Sequence, residues 1–219
     1  MVRKLRERGC CLNNLKRFVY LISPQKIYKN FYLDLEKVLA KKNTKYFQLR
    51  LKKTPEKKII QIAKKIKNIT SKYKVKLIIN DNIKIAKKVK ADGCHLGQSD
   101  GSITEARKIL KNKIIGVTCH SSKKLALKAI KEKADYIAFG SFFVSKLKPQ
   151  AKKGHFKVLK WAKKNIKKPI VAIGGISNQN YKKLILLGAN YIAISSFIWD
   201  NPFLKPDLAV KKLNENISQ

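Results

Sequence analysis

The chain has 219 residues, of which 44% are hydrophobic, and a formal net charge of +38 at pH 7, which suits a globular protein with a sizeable core. No segment approaches the roughly 18 consecutive apolar residues of a membrane span, and the first residues lack the apolar stretch of a secretory signal, so we predict a cytoplasmic protein. The basic residues are mostly lysines spread along every predicted helix, with no zinc-finger or helix-turn-helix motif. This argues against specific nucleic-acid binding and leaves weak, salt-sensitive binding to polyanions.

Eight short apolar runs with the length of β-strands recur along the chain. They span residues 17–23, 45–51, 75–80, 93–97, 113–119, 135–140, 169–175 and 190–196. Between them lie segments such as 55–73 and 121–133, in which apolar residues recur at helical spacing. Two of these segments carry helix N-terminal signals, one at Thr54 to Glu56 and one at Ser102, three residues before Glu105.

Three segments share one pattern, "KVKADGCHLG", "KEKADYIAFG" and "LLGANYIAIS", in which a helix end leads through Ala and Asp or Asn into a buried strand. Strands that are apolar on both faces and alternate with helices form parallel sheets. Eight such units in this length fit a closed barrel better than an open doubly wound sheet. We predict an α/β fold of one domain, a (β/α)8 TIM barrel over residues 17–219, after a basic, poorly ordered arm over residues 1–16.

The four cysteines show no paired spacing, so we predict reduced thiols. Cys94 and Cys119 lie in apolar runs and are predicted to fill the core. Cys10 and Cys11 lie in the arm, where they could bind a soft metal only weakly.

A barrel of this kind carries its active site at the carboxyl ends of the strands, and polar residues gather there. They are Gln48, Arg50 and Lys52 after the second strand, Asn80 and Asp81 after the third, Gln98 and Asp100 after the fourth, Thr118 and His120 after the fifth, Ser141, Ser145 and Lys148 after the sixth, Gly174 and Gly175 after the seventh, and Ser195 and Ser196 after the eighth.

Strand alternation predicts that Gln48, Arg50 and Lys52 share one face. Arg50 stands alone among lysines from residue 18 to residue 106, and a guanidinium is suited to bidentate contact with a phosphate or carboxylate. This pattern indicates a cationic lining for an anionic ligand, with a solvated strand end as the alternative.

Asp81 and Asp100 offer the hard oxygen ligands that Mg²⁺ prefers, and adjacent strand ends would bring them to one ion. Either residue could equally well cap the helix that follows it, so spacing alone leaves capping and metal binding open.

The glycines of "AIGG" at 172–175 offer either a phosphate cradle or a simple tight turn. Among the histidines, His120 could carry a proton, whereas His95 lies inside a strand and His155 starts a helix, so we assign those two to structure.

Together these segments resemble the thiamine-phosphate synthase family, which also includes thiazole tautomerases. The matching pieces are "YLIS", "FQLRLK", "LIINDNIKIAKKVKADGCHLGQSD", "IIGVTCHS", "ADYIAFGSFF", "PIVAIGGIS" and "GANYIAISSFI", which cover residues 18–199 in order. The patterns Q-x-R-x-K, N-D and H-x-G-Q-x-D are specific in combination.

The resemblance implies a transferase of thiamine biosynthesis that joins a pyrimidine diphosphate to a thiazole phosphate and releases pyrophosphate through a pyrimidine carbocation. It implies Mg²⁺ as cofactor and two small-molecule substrates, with no specific nucleic-acid or membrane partner. The implied roles are Mg²⁺ ligation by Asp81 and Asp100, contact with the pyrimidine diphosphate by Gln48, Arg50, Lys52, Asn80 and Lys148, and contact with the pyrimidine by Thr118. The backbone amides of Ser145, Gly175 and Ser195 would hold the thiazole phosphate, and Gly174 and Ser196 are predicted to bind substrate beside them. Arg50, Lys52 and Lys148 would be catalytic through the charge of the leaving diphosphate.

Two features depart from the family pattern. Leu147 stands where the family usually has a threonine, and Thr118 replaces a more usual serine. Two other functions remain open: a thiazole tautomerase in which His120 moves a proton, and a non-catalytic polyanion-binding protein. Retention of the cationic residues and of both aspartates favours the synthase, because a tautomerase has no diphosphate to hold.

Overall fold

The computed structural model describes residues 18–144 and 155–215. Within these residues, eight strands run parallel and close into a barrel in sequence order, so the predicted (β/α)8 fold is confirmed and the open sheet is excluded. The strands are β1 (Val19–Ile22), β2 (Thr44–Leu49), β3 (Lys76–Asn80), β4 (Gly93–Leu96), β5 (Ile114–Thr118), β6 (Tyr136–Gly140), β7 (Ile170–Ile173) and β8 (Tyr191–Ile194). The helices are α1 (Phe31–Leu39), α2 (Glu56–Lys72), α3 (Ile83–Lys88), α4 (Ile103–Leu110), α5 (Lys123–Lys131), α6 (Lys157–Asn165), α7 (Tyr181–Leu186), α8 (Ser196–Trp199) and α9 (Pro206–Glu215).

All eight predicted strands form, and several end earlier than predicted at their carboxyl ends. β2 ends at Leu49 rather than at residue 51. β7 ends at Ile173 because Gly174 and Gly175 take positive φ values of 107° and 58°, which no strand can continue. Ser196 begins α8 instead of ending β8. The residues cut off in this way lie in the loops above the barrel, where a ligand would bind.

The repeated Ala-Asp or Ala-Asn pattern forms the same pair of hydrogen bonds at the amino end of the barrel in each of its three copies. In each copy the acidic or amide side chain accepts a hydrogen bond from a backbone N–H at the start of the preceding strand, and its own N–H donates to the carbonyl of the same residue. These reciprocal bonds join β3 to β4, β5 to β6 and β7 to β8 and fix the register of each pair. The pairs are Asp92 with Leu77, Asp135 with Ile115 and Asn190 with Ile170, at 2.7–2.9 Å.

The apolar residues form two clusters, one between the strands and the helices and one inside the barrel. Cys94 and Cys119 are free, buried thiols in the outer cluster, as predicted, and burial raises the pKa of each to about 12. The inner cluster is built around tyrosines, whose rings pack at centroid distances of 5.1–5.8 Å. They are Tyr20, Tyr46, Tyr136 and Tyr191.

The predicted basic arm over residues 1–16, with Cys10 and Cys11, lies outside the described residues. No helix in the described ranges is long and apolar enough to cross a membrane.

Candidate active site

Arg50 and Lys52 lie in the loop after β2, close enough to Asp81 to favour its charged form. The backbone of Arg50 is anchored by Ser23, which is 3% exposed. The Ser23 hydroxyl accepts a hydrogen bond from the Arg50 N–H at 3.0 Å and donates to the Arg50 carbonyl at 3.3 Å. These bonds fix where the Arg50 side chain leaves the barrel rim.

Asp81 and Asp100 come together above β3 and β4. Asp81 follows β3 with a left-handed φ of 61°, and Asp100 folds back so that its Oδ2 accepts a hydrogen bond from the Gly97 N–H at 2.9 Å. The helix caps are instead Asn82 for α3 and Ser102 for α4, each through its side-chain oxygen. The capping alternative is therefore removed for both aspartates.

The pKa of Asp81 is raised from 3.8 to about 6. Burial is the largest cause, and a side-chain hydrogen bond with Asp100 and the charge of Asp100 raise it further. Lys52 and Arg50 act in the opposite direction and lower it. The negative charges of the two facing carboxylates are thus only partly compensated by the protein. A divalent cation between them would supply the missing positive charge.

The donor set fits a hard cation that is shared with a ligand. Mg²⁺ is commonly held by one or two carboxylates and completes its octahedral shell with water and substrate phosphates. Across residues 18–144 and 155–215, no cluster of three or more His, Cys, Asp or Glu side chains could hold a metal. The pair of Asp81 and Asp100 therefore suits an ion bridged to a phosphate rather than a closed protein site.

Gln48 and Thr118 are joined through the barrel interior by four hydrogen bonds. Gln48 Nε2 donates to the Tyr20 hydroxyl at 3.0 Å, and the Tyr20 and Tyr136 hydroxyls are 2.7 Å apart. The Tyr136 hydroxyl lies 2.8 Å from His95 Nδ1, and His95 Nε2 lies 2.7 Å from Thr118 Oγ1. His95 is thus buried inside β4, as predicted, and the interior chain links Gln48, a predicted contact of the pyrimidine diphosphate, to Thr118, the predicted contact of the pyrimidine.

The glycines after β7 allow the loop after β6 to pack closely against them. A Cβ at Gly174 would overlap the Ser141 side chain, and a Cβ at Gly175 would overlap the Val144 carbonyl. This contact and the positive φ values account for both glycines. Their role as a phosphate cradle stays a prediction.

The remaining predicted residues are placed only in part. The Ser195 hydroxyl donates to the Ser23 carbonyl at 3.1 Å, and Ser196 opens α8. Asn80 is the last residue of β3. Ser145 and Lys148 lie outside the described residues, so their roles also stay predictions.

The other two histidines lie apart from the interior chain. His120 is exposed directly after β5, has a φ of 50°, and accepts a hydrogen bond from the Gly140 N–H through its carbonyl. His155 lies two residues before α6, and its N–H donates to the Ser121 hydroxyl at 3.2 Å.

Sequence reasoning missed Ser23 and Gly97. A Cβ at Gly97 would overlap Asp100 Oδ2, so the missing side chain is what lets that carboxylate fold back. The glycine of the H-x-G-Q-x-D pattern was a signal for Gly97. Ser23 closes the first predicted strand and the piece "YLIS", but its bonds to Arg50 were not predictable because they join segments that are distant along the chain.

Comparison with known proteins covers nearly the whole barrel. Residues 19–198 match a family model described as thiamine monophosphate synthase. A thiamine-phosphate synthase of Pelagibacter ubique (strain HTCC1062) is 56% identical over 199 residues, which cover 90% of this chain and 96% of the relative. One of Erythrobacter litoralis (strain HTCC2594) is 40% identical over 186 residues, which cover 83% of this chain and 87% of that protein.

Solved structures agree with the sequence matches. A thiamine phosphate pyrophosphorylase from Pyrococcus furiosus matches with a TM-score of 0.82 at 27% identity, covering 93% of this chain and 96% of that one. A 3-hexulose-6-phosphate synthase, at 18% identity and a TM-score of 0.64 over 90% of this chain and 99% of that one, shares the fold alone. The resemblance that the motifs indicated is confirmed, and the chain belongs to the thiamine-phosphate synthase family.

Proposed function

We propose that this protein joins 4-amino-2-methyl-5-(diphosphooxymethyl)pyrimidine to 4-methyl-5-(2-phosphooxyethyl)thiazole and releases pyrophosphate, which makes it a transferase of thiamine biosynthesis. Family membership supports the activity. The observation that carries the chemistry is the pair of facing carboxylates, Asp81 and Asp100, beside the cations of Arg50 and Lys52. This combination suits a diphosphate leaving group that binds together with Mg²⁺.

In the proposed reaction, the bond between the pyrimidine methylene carbon and the diphosphate oxygen breaks, and its electron pair stays on the oxygen. The resulting pyrimidine carbocation is captured by the lone pair of the thiazole nitrogen, which forms the new C–N bond. The nitrogen needs no deprotonation, so no general base is required. The residues that matter most are therefore those that stabilise charge on the departing diphosphate.

Arg50 and Lys52 are suited to that task. The Ser23 hydroxyl bonds to both the N–H and the carbonyl of Arg50, so the Arg50 guanidinium can present two N–H donors to two phosphate oxygens. The ammonium of Lys52 adds a second positive charge. Preorganised cations act where negative charge develops, so they lower the barrier more than they strengthen ground-state binding.

The two aspartates would hold the metal. Mg²⁺ bound there would place positive charge against the diphosphate oxygens. Because the pKa of Asp81 is about 6, its carboxyl group is mostly ionised at neutral pH and available as a ligand.

The remaining contacts follow the family assignment. Asn80 and Lys148 would complete the diphosphate site, and Gln48 and Thr118 would contact the pyrimidine ring. The thiazole phosphate would be bound by Ser145, Gly175 and Ser195, with Gly174 and Ser196 as neighbouring substrate contacts. A reducing, cytoplasmic setting is part of the proposal and is supported by the free thiols of Cys94 and Cys119.

The direct test is pyrophosphate release by the purified full-length protein given both substrates, first with Mg²⁺ and then with a chelator. We expect release that requires both substrates and the metal. Folded protein that releases no pyrophosphate would overturn the proposal. Isomerisation of a thiazole in its place, abolished by His120→Ala, would establish the tautomerase.

A matched pair of variants separates the site from general effects of charge. Asp81→Asn is expected to abolish release, whereas Asp207→Asn should not change it, because Asp207 lies in α9 and pairs with Lys41 at 3.7 Å. A polyanion-binding protein would treat both variants alike and would bind nucleic acid without Mg²⁺.

A further inference from the structure

A continuous chain of buried hydrogen bonds crosses the barrel interior and ends at Gln48 and Thr118. Tyr20 and Tyr136 are each 1% exposed, Gln48 is 4% exposed and His95 is 7% exposed. All four distances lie between 2.7 and 3.0 Å, within the range of well-formed hydrogen bonds. A barrel core normally contains aliphatic side chains, so a polar chain at this depth needs an explanation.

The donors and acceptors give the chain a direction. Gln48 Nε2 can only donate, so the Tyr20 oxygen accepts from it. Of the two polar contacts that the described residues give the Tyr20 hydroxyl, Tyr136 is the one able to accept, so Tyr20 donates its proton to Tyr136. The Tyr136 oxygen is then occupied as an acceptor, and its own proton goes to His95 Nδ1.

The direction continues through the imidazole to the catalytic end of the barrel. Burial raises the pKa of Tyr20 and Tyr136 far above the ordinary value, so both hydroxyls keep their protons. A neutral histidine that accepts at Nδ1 carries its proton on Nε2, and His95 therefore donates to Thr118 Oγ1. Thr118 receives a bond in this way, and its own hydroxyl proton is left to donate to another acceptor.

We propose that Tyr20, Tyr136 and His95 are positioning residues that fix Thr118 as a donor and Gln48, through its carbonyl oxygen, as an acceptor for an aminopyrimidine ring. An aminopyrimidine presents ring nitrogens that accept and an adjacent amino group that donates, which is the complementary pattern. The proposal rests on the proposed function, because it concerns how the pyrimidine substrate of that reaction is recognised.

The fixed direction has a consequence for specificity. A 4-oxo pyrimidine presents a carbonyl where the amino group stands and an N–H at the neighbouring ring position. To match it, the chain would have to reverse as a whole: the Gln48 amide would turn over, both tyrosine hydroxyls would reorient and the His95 proton would move from Nε2 to Nδ1. A polar site of this kind rejects the mismatched analogue much more strongly than an apolar pocket would.

The first arm of the test measures the tautomer directly on the unliganded full-length protein. The chain has three histidines, so ¹⁵N-histidine labelling gives few signals, and a His95→Gln variant assigns that of His95. We expect the Nε2–H tautomer for His95 in the wild type and a loss of that single tautomer in Tyr136→Phe. An Nδ1–H tautomer in the wild type, or an unchanged His95 signal in Tyr136→Phe, would overturn the proposal.

Tyr46→Phe is the matched control. Its ring packs in the same cluster, 5.3 Å from the Tyr20 ring and 5.8 Å from the Tyr136 ring, but its hydroxyl takes no part in the bonds that join Gln48, Tyr20, Tyr136 and His95. The same atom is deleted in the same core, so both variants share any loss of packing. Only Tyr136→Phe should change the His95 signal.

The second arm measures kinetics. Tyr136→Phe should raise the KM for the pyrimidine diphosphate about tenfold, the effect of one lost hydrogen bond, and leave the KM for the thiazole phosphate unchanged. The 4-oxo analogue of the pyrimidine alcohol should inhibit the wild type at least about a hundredfold more weakly than the 4-amino compound, and this ratio should narrow in Tyr136→Phe. Equal changes in both KM values, or equal effects of Tyr46→Phe, would reduce the chain to a packing role.

The two arms keep this inference distinct from the proposed function. If the wild type releases no pyrophosphate, the proposed function fails, whereas the His95 tautomer and the relative binding of the 4-amino and 4-oxo alcohols by calorimetry still decide the role of the chain. If release is normal but His95 carries its proton on Nδ1, this inference fails alone.

Discussion

Replacing Asp81 by Asn is expected to make the metal-free protein more stable while it removes the activity. Asparagine has nearly the same shape and is among the residues that best tolerate the left-handed φ of 61° at this position. The substitution deletes one of two facing carboxylates, so the like-charge interaction with Asp100 disappears. The carboxylate that the proposed Mg²⁺ site requires disappears with it.

The size of the effect follows from the pKa of Asp81. A rise from 3.8 to about 6 corresponds to about 3 kcal/mol of destabilisation by the charged form, at about 1.36 kcal/mol per pH unit. Asp81 is only half-buried, and solvent screening reduces this to about 1 kcal/mol. Because the folded-state pKa lies above the unfolded value, protonated Asp81 does not lower the free energy of unfolding below about pH 4. The protein then loses about 1 kcal/mol of stability as the pH rises to about 6 and the carboxyl group ionises.

The assay is urea denaturation of wild type and Asp81→Asn at pH 4, 5.5 and 7 with chelator present. The two proteins should have similar stability at pH 4, and the variant should be more stable by about 1 kcal/mol at pH 7. Added Mg²⁺ should stabilise the wild type and not the variant. A variant that is less stable at pH 7 would show that Asp81 has a structural role, and one that retains wild-type pyrophosphate release would remove it from the metal site.

Three further outcomes are expected. Gly97→Ala should weaken Mg²⁺ binding at least about tenfold with little change in melting temperature, because the new Cβ displaces only the flexible end of Asp100. An unchanged Mg²⁺ affinity by calorimetry would contradict this. Arg50→Lys should lower kcat/KM more than about tenfold in the pyrophosphate assay, whereas Arg107→Lys, which loses hydrogen bonds to carbonyl groups, should lower stability alone. Burial raises the pKa of Asp92, but the bonds from Lys67 and a backbone N–H lower it overall. Asp92→Asn should therefore lower the free energy of unfolding in urea by about 1.5 kcal/mol at pH 7, and by progressively less as the pH falls below about 4. An equal loss at pH 3 would contradict an interaction that depends on the charge of Asp92.

The sequence was sufficient to predict the barrel because the signal for it is local and repeated. Each strand is an apolar run followed by an amphipathic helix, and the Ala-Asp or Ala-Asn pattern marks an actual bond between neighbouring strands, as at Asp92 and Asp135. The ends of the strands were less predictable. Arg50 continues an alternating pattern in the sequence, but β2 ends at Leu49, and the Arg50 backbone is instead bonded to Ser23, which follows β1.

The candidate site was predictable as a set of residue types and not as an arrangement. Spacing placed Asp81 and Asp100 at neighbouring strand ends but left helix capping open, and the structure decided it by using Asn82 and Ser102 as caps. The role of His95 also needed coordinates. A histidine inside a strand gives no sign in sequence that its two nitrogens connect a tyrosine to a threonine from different strands.

The pKa values of Asp92 at the amino end of the barrel and of Asp81 at the carboxyl end are shifted in opposite directions. At the amino end, Asp92 is surrounded by donors, with Lys67 Nζ at 2.6 Å and the Leu77 N–H at 2.9 Å, and its pKa is lowered overall. At the carboxyl end, Asp81 faces Asp100, and its pKa is raised. A carboxylate whose charge the fold compensates contributes to folding, whereas one whose charge is only partly compensated is suited to bind a cation, as we propose for Asp81. The raised pKa of Asp81, beside a second carboxylate and two cations at the rim, is therefore the feature that supports its proposed role as a metal ligand.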